Sequence, residues 1–372
     1  LRYLVAVLLL VACPMLGCGT AAAAASVHPR IIGYATRWDA ARTEDAGKID
    51  TLIFAFASVV DGRVTLDAAG EERLSKLTAL KSTYPKLNVA ISVGGWGAGG
   101  FSEAASSEAG RRAFADSAAR LVASHDADGL DVDWEYPGHG ESGIRSTPLD
   151  RAHFTSLLRA VRAALDQAGA ARGRTGGHHY TLSIAAADGP FVSGVDISAI
   201  APYLDWFNLM TYDFVNSQTP LTGHHTALGA SRIAPADART TERAVKQFRN
   251  AGVRADKLVI GAAFYGRDFA DVRTDHQGLY QHYGRYQGEH PWPELKSDYI
   301  VKGGYVRYWD AEAQAPWLWN EEARRFISYD DPQSLAAKAA YVKAMHLGGI
   351  MYWEQSLDPS GELLEALWQG LR

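Results

Sequence analysis

Cysteine is nearly absent. Only Cys13 and Cys18 occur in 372 residues, and both lie in an N-terminal stretch that reads as a leader. A chain without that stretch has no disulfide, so a large apolar core has to hold it together. A surplus of positive charge is lacking too: 37 Lys and Arg stand against 42 Asp and Glu, a formal net charge of -5. That balance argues against nucleic acid as a partner. No H-E-x-x-H or C-x-x-C spacing occurs, so neither a metal nor another cofactor is expected. There is no internal repeat and no Pro/Ser-rich linker. Beyond the leader no apolar run is long enough to span a membrane.

The leader has the parts of a secretory signal peptide over residues 1–25. Arg2 supplies a positive start, Leu4 to Ala12 an apolar stretch, and Ala21 to Ala25 small residues for cleavage. The chain is therefore expected to be secreted or periplasmic. Met15, Leu16, Gly17 and Cys18 form an imperfect lipobox, which makes lipid anchoring at Cys18 the lesser alternative. What the chain has in plenty is aromatic residues, 10 Trp and 17 Tyr. They suit either sugar platforms or a large aromatic core.

From residue 28 onward, short apolar runs alternate with helical patterns. The runs Arg30–Ala35, Thr51–Val59, Leu87–Val93, Gly129–Glu135, Tyr180–Ala186, Trp206–Tyr212, Leu258–Tyr265 and Gly349–Gln355 read as strands. Near-continuous apolar strands suit a parallel sheet covered by helices. Phe154, Leu157, Leu158, Val161 and Leu165 share a helix face, with Gly169 placed as its C′ residue. Asp331 and Pro332 read as N-cap and first residue of a helix running to Ala344. The pattern predicts an α/β fold, a (β/α)8 TIM barrel over 28–267 and 327–372. Residues 268–326 break the rhythm and are rich in Tyr, Trp, His and Gly. A structureless loop of that length is improbable, so a small α+β insertion is expected after the seventh strand. It would stand on the face where active sites of such barrels lie.

The most informative run is Asp128-Gly-Leu-Asp-Val-Asp-Trp-Glu-Tyr-Pro137. Strand alternation puts Asp131, Asp133 and Glu135 on one face, roughly 6–7 Å apart, and Leu130, Val132 and Trp134 on the other. Three like charges inside a barrel cannot all ionise, so at least one carboxyl pKa must rise. A raised carboxyl is what a general acid needs near neutrality. Glu135 ends the run at the barrel mouth and is the natural proton donor. A solvated acidic strand would lack this apolar reverse face, and a metal site would usually bring His or further carboxylates, which do not stand beside this run.

Gly94 to Gly100 follow a strand, but their spacing fits a phosphate loop poorly and Trp96 interrupts them. Gly94 and Gly95 fit close backbone approach at the mouth, and Trp96 either a sugar platform or a packed loop residue. The pairs His178/His179 and His224/His225 are expected on loops or at the surface.

The run matches D-x-x-D-x-D-x-E and resembles the signature of family 18 glycoside hydrolases, in the form common in chitinases. Ser92-Val-Gly-Gly-Trp96 resembles that family's third-strand S-x-G-G, and Met210-Thr-Tyr-Asp213 its sixth-strand M-x-Y-D. Gly33-Tyr34, Phe54-Ala-Phe56, Tyr265-Gly-Arg267 and Trp353 follow in order, so the resemblance runs from about residue 30 to 358. It implies a hydrolase acting on chitin or chitooligosaccharides by a substrate-assisted, retaining route. Glu135 would protonate the glycosidic oxygen, and Asp133 would hold the acetamido N–H. Asp131 would share a proton with Asp133, and Tyr212 would donate to the acetamido carbonyl. Trp353 would floor the site. Tyr34, Phe56, Asp213, Tyr265 and Arg267 would line the innermost subsites, with Gly94, Gly95, Trp96, Tyr136 and Met210 also touching sugar. Asp213 to Gln218 lack a Trp that relatives often carry there, which implies a weaker outer subsite. A monomer is expected. The alternatives are an endo-β-N-acetylglucosaminidase acting on N-glycans and a non-catalytic chitin-binding lectin.

Overall fold

The computed structural model describes residues 28–38, 42–301 and 304–372. The expected leader, with Cys13 and Cys18, lies outside the described residues. Eight parallel strands form the centre: β1 (Arg30–Ala35), β2 (Thr51–Val60), β3 (Asn88–Gly94), β4 (Gly129–Asp133), β5 (Thr181–Ala186), β6 (Trp206–Leu209), β7 (Leu258–Ala263) and β8 (Gly349–Trp353). Each pairs with the next, and β8 pairs with β1, so the sheet closes into a barrel. The predicted (β/α)8 architecture is the observed one.

Outward-facing Leu130, Val132 and Trp134 join a shell core with Phe101, Phe114, Phe154 and Leu157 from the surrounding helices. Inward-facing Ile32, Ile53, Ala90, Val259 and Met351 fill the barrel axis together with Trp206. Full burial of one such aliphatic or aromatic side chain contributes about 1.5–3 kcal/mol. Among residues that carry no cysteine, this burial is the main source of stability.

One helix start predicted from the sequence carries its cap. Asp331 and Ser334 form a reciprocal capping box ahead of the helix Pro332–Ala344. The helix Asp150–Ala170 runs through Gly169, so this glycine is not a C′ residue. A Cβ on it would lie 2.9 Å from the Arg174 carbonyl oxygen, and the glycine serves the close return of the chain.

Four strands end earlier than their apolar runs: β4 at Asp133, β6 at Leu209, β7 at Ala263 and β8 at Trp353. At β6 the cause is visible, because the Thr211 N–H turns back to the Leu209 carbonyl at 2.7 Å. Glu135, Tyr212 and Tyr265 thus sit just past the barrel strands' ends rather than in the barrel ladder.

Immediately after β7 the chain enters a five-stranded antiparallel sheet. Its strands are Tyr265–Ala270, Arg285–Pro291, Val306–Asp310, Ala315–Asn320 and Arg325–Tyr329. This sheet spans 265–329 and so brackets the interval 268–326. It has its own core of Phe269, Val272, Leu279, Trp317, Trp319 and Phe326. Trp317 and Trp319 are therefore core residues, while Trp309 is half-buried beneath the Arg307 guanidinium.

Candidate active site

The register of β4 turns Asp131 and Asp133 into the barrel, with Glu135 beyond them at the mouth. Trp134 faces outward, stacked on Phe101 at 5.4 Å and edge-on to Phe154 at 5.4 Å. It anchors the strand end in the shell core.

Asp131 is fully buried and accepts from four donors. These are the Tyr34 hydroxyl at 2.9 Å, Ser92 Oγ at 2.8 Å, Ser183 Oγ at 2.6 Å and Asn208 Nδ2 at 3.1 Å. Burial raises its pKa, and the donors oppose the rise. Asp133 is also buried, but its Oδ1 meets no hydrogen-bond partner among the described residues. Burial, then the charges of Glu135 and Asp131, push it well above the usual carboxylate range. Glu135 is pushed up to about 7, first by burial and also by the Asp213 charge, against a hydrogen bond from Tyr136. The four donors favour the charged form of Asp131, whereas fewer donors oppose the rise at Asp133 and Glu135.

Tyr212 is 8% exposed, with its hydroxyl 3.9 Å from Met351 Sδ. Burial and the charges of Asp133, Asp213 and Glu135 push its pKa up, which keeps it a hydrogen-bond donor. Asp213 adopts a left-handed backbone, with φ of 55°. It accepts from the Tyr265 hydroxyl at 2.7 Å and from Arg267 Nε at 2.6 Å. Burial alone would raise its pKa, yet His225 and Arg267 hold it well below the carboxylate range. Arg267 in turn meets the Tyr286 hydroxyl and lies 3.0 Å from Glu289. Both partners come from the antiparallel sheet, which therefore reaches the mouth of the barrel.

Trp353 is stacked on Phe56 at 5.7 Å with a 20° interplanar angle. Tyr34, expected to line a subsite, is only 1% exposed, with its ring against Trp353 and its hydroxyl on Asp131. Its position is beneath the aromatic floor rather than on it. Gly94 has φ of +121°, and a Cβ there would lie 2.0 Å from the Asp133 carbonyl oxygen. A Cβ on Gly95 would lie 2.8 Å from the Phe56 ring. These two glycines let β3 press against both the carboxylate column and the floor. Met210 is half-buried against the inner core. Trp96 is 57% exposed and edge-on to Tyr136, which tilts against Phe191 at 5.1 Å.

Several residues of this constellation carry little signal in the sequence. For Ser183 and Asn208 the signal is that of lone polar residues inside apolar runs at inward register, and Phe191 has none. His224 and His225, expected on a loop or at the surface, are buried at 2% and 0% exposure. The chain between β6 and the helix Thr241–Asn250 folds beneath the antiparallel sheet, where the His225 N–H donates to Ser328 Oγ at 2.9 Å. Among the described residues, no group of three or more His, Cys, Asp or Glu could hold a metal ion. No described helix is long and apolar enough to cross a membrane.

Comparison with known proteins places the chain in a family. The model of Glycosyl hydrolases family 18 matches residues 30–358. Chitinase A1 of Niallia circulans is 38% identical over 310 residues, covering 79% of this chain and 44% of that protein. The chain thus spans less than half of that relative's length. Chitinase B of Serratia marcescens is 30% identical over 366 residues, covering 82% of this chain and 71% of that protein. A solved family 18 N-acetylglucosaminidase from Paenibacillus barengoltzii superimposes with a TM-score of 0.87 at 42% identity. That match covers 92% of this chain and 99% of the other.

Proposed function

The chain belongs to the family 18 glycosyl hydrolases, and from that premise we propose that it hydrolyses β-1,4-linked N-acetylglucosamine in chitin or chitooligosaccharides. The observation that carries this reading is the contrast within one column of carboxylates. Glu135 is poised at about 7 at the mouth, and a buried, unpartnered Asp133 oxygen lies below it.

The reaction is substrate-assisted and retaining. Glu135 gives its proton to the glycosidic oxygen as the bond to the anomeric carbon breaks. The acetamido oxygen of the same sugar forms the new bond to that carbon, giving an oxazolinium ion. The free Asp133 oxygen accepts the acetamido N–H, which aims the carbonyl oxygen at the reacting carbon. Tyr212 donates its hydroxyl to that carbonyl oxygen. Trp353 and Phe56 form the floor. Water then opens the oxazolinium from the face the leaving group vacated. Glu135 takes the water's proton, and the β configuration returns. Asp213, Tyr265 and Arg267 form the side wall, with the insertion of 268–326 deepening it. Export through the leader of residues 1–25 would place the enzyme with its polymer outside the cytoplasm.

A second reading has support of its own. The Paenibacillus relative, matched over 99% of its length, is described as an N-acetylglucosaminidase. Release of single sugars from a chain end is therefore the competing outcome. A time course with N-acetylglucosamine hexasaccharide, resolved by length and anomer, decides between them. Early β-anomeric disaccharide is the expected result, and monosaccharide as the sole early product would favour the second reading. Intact hexasaccharide with a ligand-induced rise in melting temperature would overturn both and leave a lectin.

A further inference from the structure

Tyr212 is held without the help of the sheet. Only Phe207 and Asn208 of β6 pair with β7, opposite Leu258 and Val259. Beyond them the Thr211 side chain stands in for the ladder. Its Oγ1 accepts the Gly261 N–H at 2.7 Å and donates to the Gly261 carbonyl at 3.1 Å. The Tyr212 ring packs directly on the β7 backbone at this point. A Cβ on Gly261 would lie 2.9 Å from Tyr212 Cδ1 and 2.8 Å from the Leu209 carbonyl oxygen.

Behind this joint lies a buried ion pair that the proposed reaction does not use. Lys338, on the helix Pro332–Ala344, is 0% exposed, and Asp330 is 1% exposed. Lys338 Nζ donates to Asp330 Oδ2 at 2.6 Å, to Thr226 Oγ1 at 2.6 Å and to the Gly261 carbonyl at 3.4 Å. The Thr226 hydroxyl lies 3.1 Å from the Thr211 carbonyl and 3.3 Å from Asp330 Oδ2. Asp330 also accepts the Ala263 N–H at 3.1 Å and Ser334 Oγ at 2.6 Å. The pair thus touches the backbone at Gly261 and Ala263 directly, and at Thr211 through the Thr226 hydroxyl, where the β6–β7 ladder has stopped.

Burying two charges costs most of what their attraction returns, so such a pair adds little stability over apolar side chains. Its contribution here is directional, since it places polar backbone groups that no strand partner holds. We propose that the buried Lys338–Asp330 pair is the positioning device for Tyr212, acting through Thr226, Thr211 and Gly261. This rests on the role of Tyr212 in the reaction above.

The test is the double variant Lys338→Met/Asp330→Asn, which removes both charges and keeps an acceptor for the Ala263 N–H. With the hexasaccharide, kcat should fall roughly 10- to 100-fold through misplacement of the hydroxyl. KM should stay within about twofold, and in a Tyr212→Phe background the same change should cost at most about twofold more in kcat. Unchanged kcat in the folded double variant would overturn the proposal, as would a full multiplicative loss on top of Tyr212→Phe. Thr226→Val keeps the ion pair and the volume, and decides the matter if the double variant does not fold. A smaller kcat loss at constant KM supports the link, and unchanged kcat overturns it. Unchanged kcat in Tyr212→Phe alone would sink the catalytic role of Tyr212 itself.

Discussion

The floor and the mouth of the barrel hold the same kind of group under opposite conditions. At the floor, Asp131 is closed in by donors from Tyr34, Ser92, Ser183 and Asn208. Towards the mouth, Asp133 keeps an oxygen without a partner among the described residues, and the Glu135 carboxyl is pushed up to about 7. Burial raises the pKa in all three cases. What separates them is the number of donors each receives. The column teaches that spacing along a strand supplies the carboxylates, whereas neighbouring strands decide which of them keeps a proton.

The sharpest way to break this contrast is Glu135→Gln. It should lower kcat about 10²- to 10⁴-fold, the range for loss of a general acid, with hexasaccharide binding retained. The pH dependence has a definite sign. Glu135 must be protonated to act as acid, so wild-type kcat/KM should fall as pH rises through about 7. Stability follows the same proton. The folded pKa lies above the ordinary 4.5, so the folded state binds more protons than the unfolded between those values. Its contribution is complete below 4.5 and is lost as pH rises through about 7. Glu135→Gln, which does not titrate, should therefore melt above wild type at pH 8 by a few degrees. Little difference should remain at pH 4. Equal melting temperatures at both pH values would refute the raised pKa.

At the floor, Ser183→Ala removes the shortest of the four hydrogen bonds to Asp131, 2.6 Å. It should destabilise the fold by about 1.5–3 kcal/mol in denaturant unfolding, as expected for a buried hydrogen bond to a charged group. A loss below about 0.5 kcal/mol would mean that Asp131 is not an anion leaning on its donors. The smallest effect is expected furthest from the column. Trp96, 57% exposed, touches the site only through Tyr136. Trp96→Ala should raise KM for the hexasaccharide about 2- to 10-fold, the value of one aromatic contact, and leave kcat alone. A drop in kcat instead would tie the outer groove to the chemistry.

Much of the fold was legible because barrel strands are short, near-continuous apolar runs, separated by helices with period 3.6. The run from Gly129 places Asp131, Asp133 and Glu135 on one side without any knowledge of their neighbours. The strand ends were less legible. Tyr212 and Tyr265 follow apolar residues without a break in pattern, and only backbone hydrogen bonding shows that the ladder has stopped before them. His224 and His225 lie outside helix and strand, as a loop reading allows, but nothing nearby in the chain indicates the antiparallel sheet that buries them. The motif at Tyr34 implies a subsite, whereas its hydroxyl is turned into the barrel, a direction that depends on Asp131 ninety-seven positions away.

By itself, then, the sequence determined the barrel, the broken rhythm after the seventh strand and the column of carboxylates. All three rest on periodicity and composition, which are local. Only the tertiary structure decided that Asp131 is saturated while Asp133 is not, that Arg267 is shared between Asp213 and the antiparallel sheet, and that a buried Lys338–Asp330 pair stands behind Tyr212. Each of these depends on donors and charges brought together from distant strands. Hydrogen bonding and desolvation act over a few ångströms in space, whatever the separation along the chain.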